Sequence, residues 1–449
     1  MLKGIGGCPP LAGVGGGFTS LKSLYISLCK RETEKRELIN IKKLFTHTSV
    51  RVRGYLTFFY KIAKKKVMNT VYFDNAATSW PKPEETYVAM DRYSRAIGGS
   101  PGRSGHRLSI ESGRVIMNTR ESLSRLFGID DPFQLVFTKN ATEALNLAIG
   151  GFLSPGDHVI TSSAEHNSVM RPLRLLESKD VELSVVRCSS QGELDLQELV
   201  SAVKKTTKAI FLTHASNVTG TIMPVKEVGE IAREHGLIFC VDAAQTAGAL
   251  PIDVSGMNSD LLAFTGHKSL FGPQGTGGLY IRKGLEERIQ PLMAGGTGSR
   301  SEFESQPDFM PDKYESGTLN TVGLAGLGAG AEYIIRKGID HIRAREIMLT
   351  QRFLDGLTSI SGVRIYGPGE ASRQISVVSF NIEGKTPSEV SFALDEHFGV
   401  MSRPGLHCAP AAHRTIGTFP RGTVRFSFGY FNTEEEISYA LDALREIRK

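Results

Sequence analysis

"LLAFTGHKSLFGPQGTGGLYI" (residues 261–281) sets a single lysine, Lys268, between an apolar run and a glycine-rich turn. A short uncharged run bounded by turn residues reads as a buried strand. A lysine just past such a strand is by itself most simply a solvated surface charge. Its meaning depends on what the neighbouring strands deliver to the same edge.

Similar apolar runs recur at 134–138, 158–163, 183–188, 208–216 and 237–243, several rich in β-branched residues. Between them lie segments of helical spacing such as "ATEALNLAIGGFL" and "PVKEVGEIAREHG". Strands alternating with helices predict an α/β fold: a mostly parallel central sheet with helices on both faces. After about residue 335 the pattern changes to longer helices and the runs "ISVVSFNIEG" and "TVRFSFGYFN", which predict a smaller α+β domain. The expected organisation is an extension over 1–67, a segment 68–90 that packs on the small domain, a large domain over 91–335 and a small domain over 336–449.

With 449 residues, 40% hydrophobic and 22% charged, the chain can bury a large core. No apolar stretch approaches the ~20 residues that cross a bilayer, so no membrane span is expected. The net charge of +6 resembles a nucleic-acid signal until it is located. Residues 1–67 hold 14 Lys+Arg against 3 Asp+Glu, leaving 39 against 44 for residues 68–449. The main body is therefore mildly acidic, and the basic segment lacks interleaved aromatics on a recognisable module, so no nucleic-acid partner is expected. That segment has neither a convincing secretory h-region nor the Ser-rich amphipathic character of a transit peptide. It reads as a disordered extension or as a mis-assigned start, with translation beginning at Met68. The five cysteines, Cys8, Cys29, Cys188, Cys240 and Cys408, form no CxxC pair and suit a reducing, cytoplasmic setting.

The strand ends carry the chemistry. "LIFCVDAAQT" delivers Asp242 and Gln245, "LLAFTGHKS" delivers Thr265, His267 and Lys268, "QLVFTKNATEAL" delivers Ala141 and Thr142 to a helix start, and "VITSSAEHNSV" delivers His166. In a parallel sheet these groups meet at the carboxyl edge, where ligands bind. A lysine that condenses with an aldehyde needs partial desolvation to favour its neutral amine, and a buried aspartate needs a cation. Pyridoxal phosphate meets both needs, and a helix N-terminus suits its phosphate. Other cofactors fit less well. No GxxxxGK[ST] or HExxH occurs, and "GLGAG" at 326–330 has no preceding strand, so it reads as close helix packing.

The ordered motifs "YFDNAAT", "NATEALNL", "EHNS", "HASNVTG", "VDAAQT", "FTGHK", "ESGTLNT", "GLHCAP" and "VRFSFGYFNT" closely resemble the class V aminotransferase family of fold-type I pyridoxal phosphate enzymes. Within it the chain resembles the cysteine desulfurases of the group that includes selenocysteine lyases. The resemblance covers essentially all of residues 70–449. It implies Lys268 as the covalent cofactor lysine, Asp242 against the pyridine nitrogen, Gln245 on the phenolic oxygen and His166 over the ring. It further implies a phosphate cup of Ala141, Thr142, Thr265 and His267, completed by Gly317 and Thr318 from the second subunit of a homodimer. Asn217 and Arg425 would bind the substrate carboxylate, with Arg403 and His106 as further candidates. Each residue has a plainer reading in isolation: Asp242 as a helix cap, His166 as a satisfied N-terminal histidine, Arg425 as a surface ion pair.

Cys408 discriminates between activities. "SRPGLHCAPAAH" surrounds one thiol with Gly, Pro and small residues, the composition of an accessible loop, whereas Cys188 and Cys240 sit in apolar runs and read as core. The resemblance implies that Cys408 takes the sulfur of L-cysteine as a persulfide, releasing L-alanine, and passes it to a sulfur-acceptor protein, with L-selenocysteine as the alternative substrate. The competing activities are a selenocysteine lyase, or another class V aminotransferase or β-lyase in which Cys408 is incidental.

Overall fold

The computed structural model describes residues 70–102 and 104–449, so the extension expected over 1–67 lies outside the described residues. Its first strand, β1 (Val71–Tyr72), belongs with the C-terminal part. The next seven build the main sheet: β2 (Leu135–Thr138), β3 (His158–Ser162), β4 (Glu182–Val186), β5 (Thr207–Thr213), β6 (Ile238–Asp242), β7 (Leu261–Thr265) and β8 (Gly277–Ile281). Their order is β2-β8-β7-β6-β5-β3-β4. β3, β4, β5, β6 and β7 pair in parallel, while β8 runs antiparallel to both β7 and β2. The sheet is mostly parallel, as the alternating pattern requires.

Side chains alternate between two cores. Leu262 and Phe264 of β7, with Phe239 and Val241 of β6, pack on one face beneath helices Arg107–Phe127, Val225–Glu234 and Thr321–Lys337. Leu261, Ala263, Ile238 and Cys240 pack on the other, beneath helices Ala141–Phe152 and Asn167–Glu177. Burial on both faces makes these strands continuous hydrophobic runs, each buried Leu or Phe contributing about 1.5–3 kcal/mol.

β8 departs from the sequence reading, in which "GPQGTGG" was a turn throughout. Gly277 and Gly278 are already strand, and a Cβ on Gly277 would lie 2.7 Å from Asn140 Cα. Bare backbone is what lets β8 slide between β7 and the start of helix Ala141–Phe152. The "GLGAG" stretch lies in helix Thr321–Lys337, where a Cβ on Gly328 would sit 2.5 Å from Thr119 Oγ1. Close packing explains it.

The C-terminal strands are β9 (Val363–Tyr366), β10 (Val377–Ile382), β11 (Val400–Met401), β12 (Arg403–Gly405) and β13 (Thr423–Ser427). Four form an antiparallel sheet in the order β12-β13-β10-β9, and β11 pairs in parallel with β1. Their core holds Phe73, Phe353, Phe380, Phe426 and Phe428, with Phe353 and Phe426 stacked at 5.1 Å. Val71–Lys449 forms one compact unit. Among the described residues no helix is long and apolar enough to cross a membrane.

Candidate active site

At the carboxyl edge of the main sheet, strand ends and helix starts surround a cavity of about 320 Å³. β6 ends on Asp242, which lies beside Thr213 at the end of β5, and β7 ends on Thr265, followed by Gly266, His267 and Lys268. Two helices begin here: Asn140 caps the helix that starts at Ala141, and His166 caps the helix that starts at Asn167. Ala141, Thr142, His166, Asn217, Asp242, Gln245, Thr265, His267, Lys268, Arg403 and Arg425 all line the cavity, so most of the candidates meet in one place.

Asp242 is 4% exposed and accepts the Ala244 N–H on Oδ1 at 2.9 Å. Burial raises its pKa above the usual carboxylate value, against the Ala244 hydrogen bond and the nearby Lys268 charge. The Lys268 amine has no hydrogen bond or ion pair among the described residues. Burial lowers its pKa to about 8, opposed by Asp242 and reinforced by Arg425 and Arg403. A lysine tuned in this way offers a neutral nucleophilic amine close to neutral pH.

His166 satisfies its plain reading and its functional one together. Its Nδ1 accepts the Ser168 N–H at 3.0 Å, so in the neutral ring the proton is on Nε2. Burial, then the Lys268, Arg403, Arg425 and Arg171 cations, lower its pKa to about 4. It is neutral at physiological pH. His267 is lowered to about 4, first by burial and then by Lys268 and Lys82, and its buried Nδ1 has no partner. Thr142 Oγ1 meets Ser168 Oγ at 2.7 Å, Gln245 Nε2 donates to Ala76 O at 3.2 Å, and Thr265 Oγ1 donates to Thr276 O at 3.5 Å.

Arg425 is fully buried, so it is not a surface ion pair. Its Nη2 donates to Asp74 Oδ1 at 2.7 Å and its Nη1 to Asn217 O at 3.1 Å, while Nε is buried without a partner. A buried guanidinium needs an anion. Asp74, from "YFDNAAT", is the anion that sequence reading missed; no local pattern signals a partner 351 residues away.

Cys408 is exposed and follows His407, and both take left-handed backbone, with φ of 59° and 49°. This conformation costs a non-glycine residue about 1–2 kcal/mol. Here it is held by Asn217 Nδ2, which donates to His407 O at 2.7 Å, and by Asn167 N, which donates to Cys408 O at 2.9 Å. Arg403 Nη2 reaches Cys408 Sγ at 3.5 Å. Cys240 is buried in β6, as expected, but Cys188 stands two residues beyond β4 and is half-buried. Its backbone turns off the sheet there, with its N–H on Ser163 Oγ at 2.9 Å. His106 is an exposed helix cap whose Nδ1 accepts from Ser109 N at 3.2 Å, and it is not among the residues lining the cavity. Gly317 and Thr318 are exposed and also lie outside that lining.

The donor set fits a phosphorylated pyridine aldehyde. An unpartnered amine, a buried carboxyl, a helix start at Ala141 and Thr142, and the orphan His267 Nδ1 share one cavity. Among the described residues no group of three or more His, Cys, Asp or Glu could hold a metal ion.

The aminotransferase class-V family profile matches residues 71–440. A probable cysteine desulfurase of Methanothermobacter thermautotrophicus is 36% identical over 382 residues, covering 84% of this chain and 94% of the relative. The apo structure of a cysteine desulfurase from Thermococcus onnurineus NA1 is 36% identical with a TM-score of 0.79, covering 84% of this chain and 94% of that one. An Escherichia coli cysteine desulfurase in an S-sulfonic acid form is 26% identical with a TM-score of 0.75, covering 86% and 98%. With the profile spanning most of its length and these relatives matched nearly end to end, the chain belongs to the class V aminotransferase family.

Proposed function

We propose that the protein is a pyridoxal phosphate-dependent cysteine desulfurase that converts L-cysteine to L-alanine and carries the sulfur on Cys408. The observation that carries this reading is the unpartnered Lys268 amine beside Asp242, in a cavity whose Arg403 also contacts the exposed Cys408 thiol. The names of the relatives point the same way.

Lys268 would hold the cofactor through its aldehyde, Asp242 would face the pyridine nitrogen and Gln245 the phenolic oxygen, and His166 would cover the ring. Ala141, Thr142, Thr265 and His267 would hold the phosphate. Gly317 and Thr318 are exposed, which supports a homodimer in which each copy completes the other's cup. Bound there, pyridoxal phosphate supplies an electron sink that lets the Cα–H of an attached amino acid ionise.

The chain's own groups do the rest. Asn217 and Arg425 orient the substrate carboxylate, with Arg425 offering its unpartnered Nε. The Lys268 amine takes the Cα proton, and the His166 Nε2–H offers a hydrogen bond on the cavity side. Cys408 Sγ, as thiolate, attacks the substrate sulfur: an S–S bond forms, the Cβ–S bond breaks, and its electron pair goes to Cβ, which is protonated as L-alanine forms. The thiol proton balances the account, and Cys408 is left as a persulfide. An acceptor thiol or sulfur-acceptor protein then removes the sulfur, and free thiols of this kind suit a reducing cytoplasm.

The direct test is alanine release from L-cysteine with one persulfide per turnover in the absence of acceptor; keto acid or pyruvate as product overturns the reading in favour of an aminotransferase or β-lyase. Arg425→Lys supplies a separate test of substrate binding. It keeps a cation for Asp74 but loses the planar fork, so KM for L-cysteine is expected to rise roughly tenfold or more with cofactor content unchanged. Steady-state kinetics checks this, and an unchanged KM would remove Arg425 from the substrate site.

A further inference from the structure

The peptide that carries Lys268 is tied on both sides, and the tie involves a cation used nowhere in the proposed reaction. The His267 carbonyl oxygen receives Thr78 Oγ1 at 3.0 Å, Ser79 N at 3.0 Å, Ser79 Oγ at 3.3 Å and Lys82 Nζ at 3.2 Å. The Lys268 carbonyl receives Phe271 N at 3.0 Å. Lys82 spends its other donors on Ser79 O at 3.1 Å and Ser79 Oγ at 2.9 Å. It makes no ion pair among the described residues.

A carbonyl oxygen has two lone pairs, and Thr78 with Ser79 N already fills them. The ammonium is therefore surplus to satisfying that oxygen. Placing a cation in a half-buried site with only neutral acceptors is costly, and burial lowers the Lys82 pKa to about 8. A mere stitch between segments needs no charge. An ammonium on the carbonyl of one residue polarises the peptide that leads into the next, and it fixes that peptide more firmly than a neutral donor would.

We propose that Lys82 is a positioning residue that acts through the His267 carbonyl to hold the Lys268 backbone, and hence its amine, in place for the cofactor. The inference rests on the pyridoxal phosphate reading. The charged groups that act on Lys268 are Asp242, Arg425, Arg403 and Asp74, and those that act on His267 are Lys268 and Lys82. Lys82 is the member of this set that touches the connecting peptide.

The experiment compares the full chain with Lys82→Met and Lys82→Arg. One measurement follows cofactor loss from the holoenzyme on dialysis. A second follows acetylation of Lys268 by acetic anhydride against pH in the cofactor-free chain, read by mass spectrometry, and a third records Tm. Lys82→Met is expected to lose cofactor roughly tenfold faster and to move the Lys268 acetylation midpoint upward, because an amine held less firmly in the cavity is less desolvated. Lys82→Arg should restore the midpoint. A lower Tm with both other readouts unchanged would show a purely structural stitch and overturn the proposal. If Lys82→Met does not fold, Lys82→Gln removes the charge but keeps a neutral donor for the same oxygen and should speed cofactor loss in the same direction; no change there is equally adverse. A parent protein that binds no cofactor would sink the pyridoxal phosphate reading, while the acetylation profiles would still decide whether Lys82 controls Lys268.

Discussion

Cys408→Ser is expected to keep its cofactor and lose sulfur transfer from L-cysteine by about a hundredfold or more, a barrier increase of ~3 kcal/mol. Cofactor retention follows from geometry: Cys408 is exposed and is not among the residues lining the cavity, so the substitution leaves that lining intact. The loss follows from chemistry. A serine hydroxyl is almost wholly protonated at neutral pH, whereas a thiol keeps a few per cent or more of its population as thiolate. Arg403 Nη2, at 3.5 Å from Sγ, also lines the cavity and so links the thiol to the substrate site. L-Selenocysteine should be spared more, because selenium leaves more readily than sulfur. The measurement is alanine formation from each substrate, with mass spectrometry for a persulfide on Cys408 in the parent. Undiminished desulfuration in the variant, or a persulfide confined to Cys188 or Cys240, would remove Cys408 from the reaction. Those two thiols are poor substitutes, since burial pushes Cys188 up to about 11 and Cys240 well above the usual thiol value.

What made this site legible in the sequence is that a parallel sheet gathers its strand ends. Asp242, Thr265 and Lys268 are each within a few residues of an apolar run, so their convergence follows from topology alone. Ala141, Thr142 and His166 follow the same logic one step further, as first residues of the helices that leave those strands. The failures have a common cause. Asp74 is defined by Arg425 and Lys82 by His267, and a long-range partner leaves no trace in local periodicity. The glycines of β8 looked like a turn because the feature that demands them, the backbone of Asn140 at 2.7 Å from a would-be Cβ, lies on another strand's connection. At Cys408 composition showed a loop, but not that Asn217 and Asn167 hold His407 and Cys408 in left-handed backbone. Asn217 thus stands in two places at once, lining the cavity and gripping the thiol loop, so its replacement would disturb both.

The largest single loss is expected for Lys268→Ala. On its proposed roles two contributions would vanish together, the covalent attachment of the cofactor and the base that takes the Cα proton, and general-base catalysis alone is worth about 10²–10⁴. Turnover of L-cysteine should therefore fall by roughly a thousandfold or more. Asp242 and the helix start at Ala141 remain, so the variant can still take up pyridoxal phosphate without a bond to it. Borohydride reduction should fix the cofactor to the Lys268 peptide in the parent and to nothing in the variant, and a reducible linkage retained in the variant would assign the role to another lysine. The pH dependence has a definite sign. Burial disfavours the ammonium, so the folded-state pKa falls to about 8 and the amine becomes neutral as pH rises through that value. Attachment of the cofactor to the cofactor-free chain should accordingly accelerate as pH rises and level off above about 8, whereas an ordinary exposed lysine would keep accelerating toward its own value of about 10.4. An attachment profile that still climbs at pH 10 would show that the cavity does not desolvate Lys268, and would take from the site the feature on which its proposed chemistry depends.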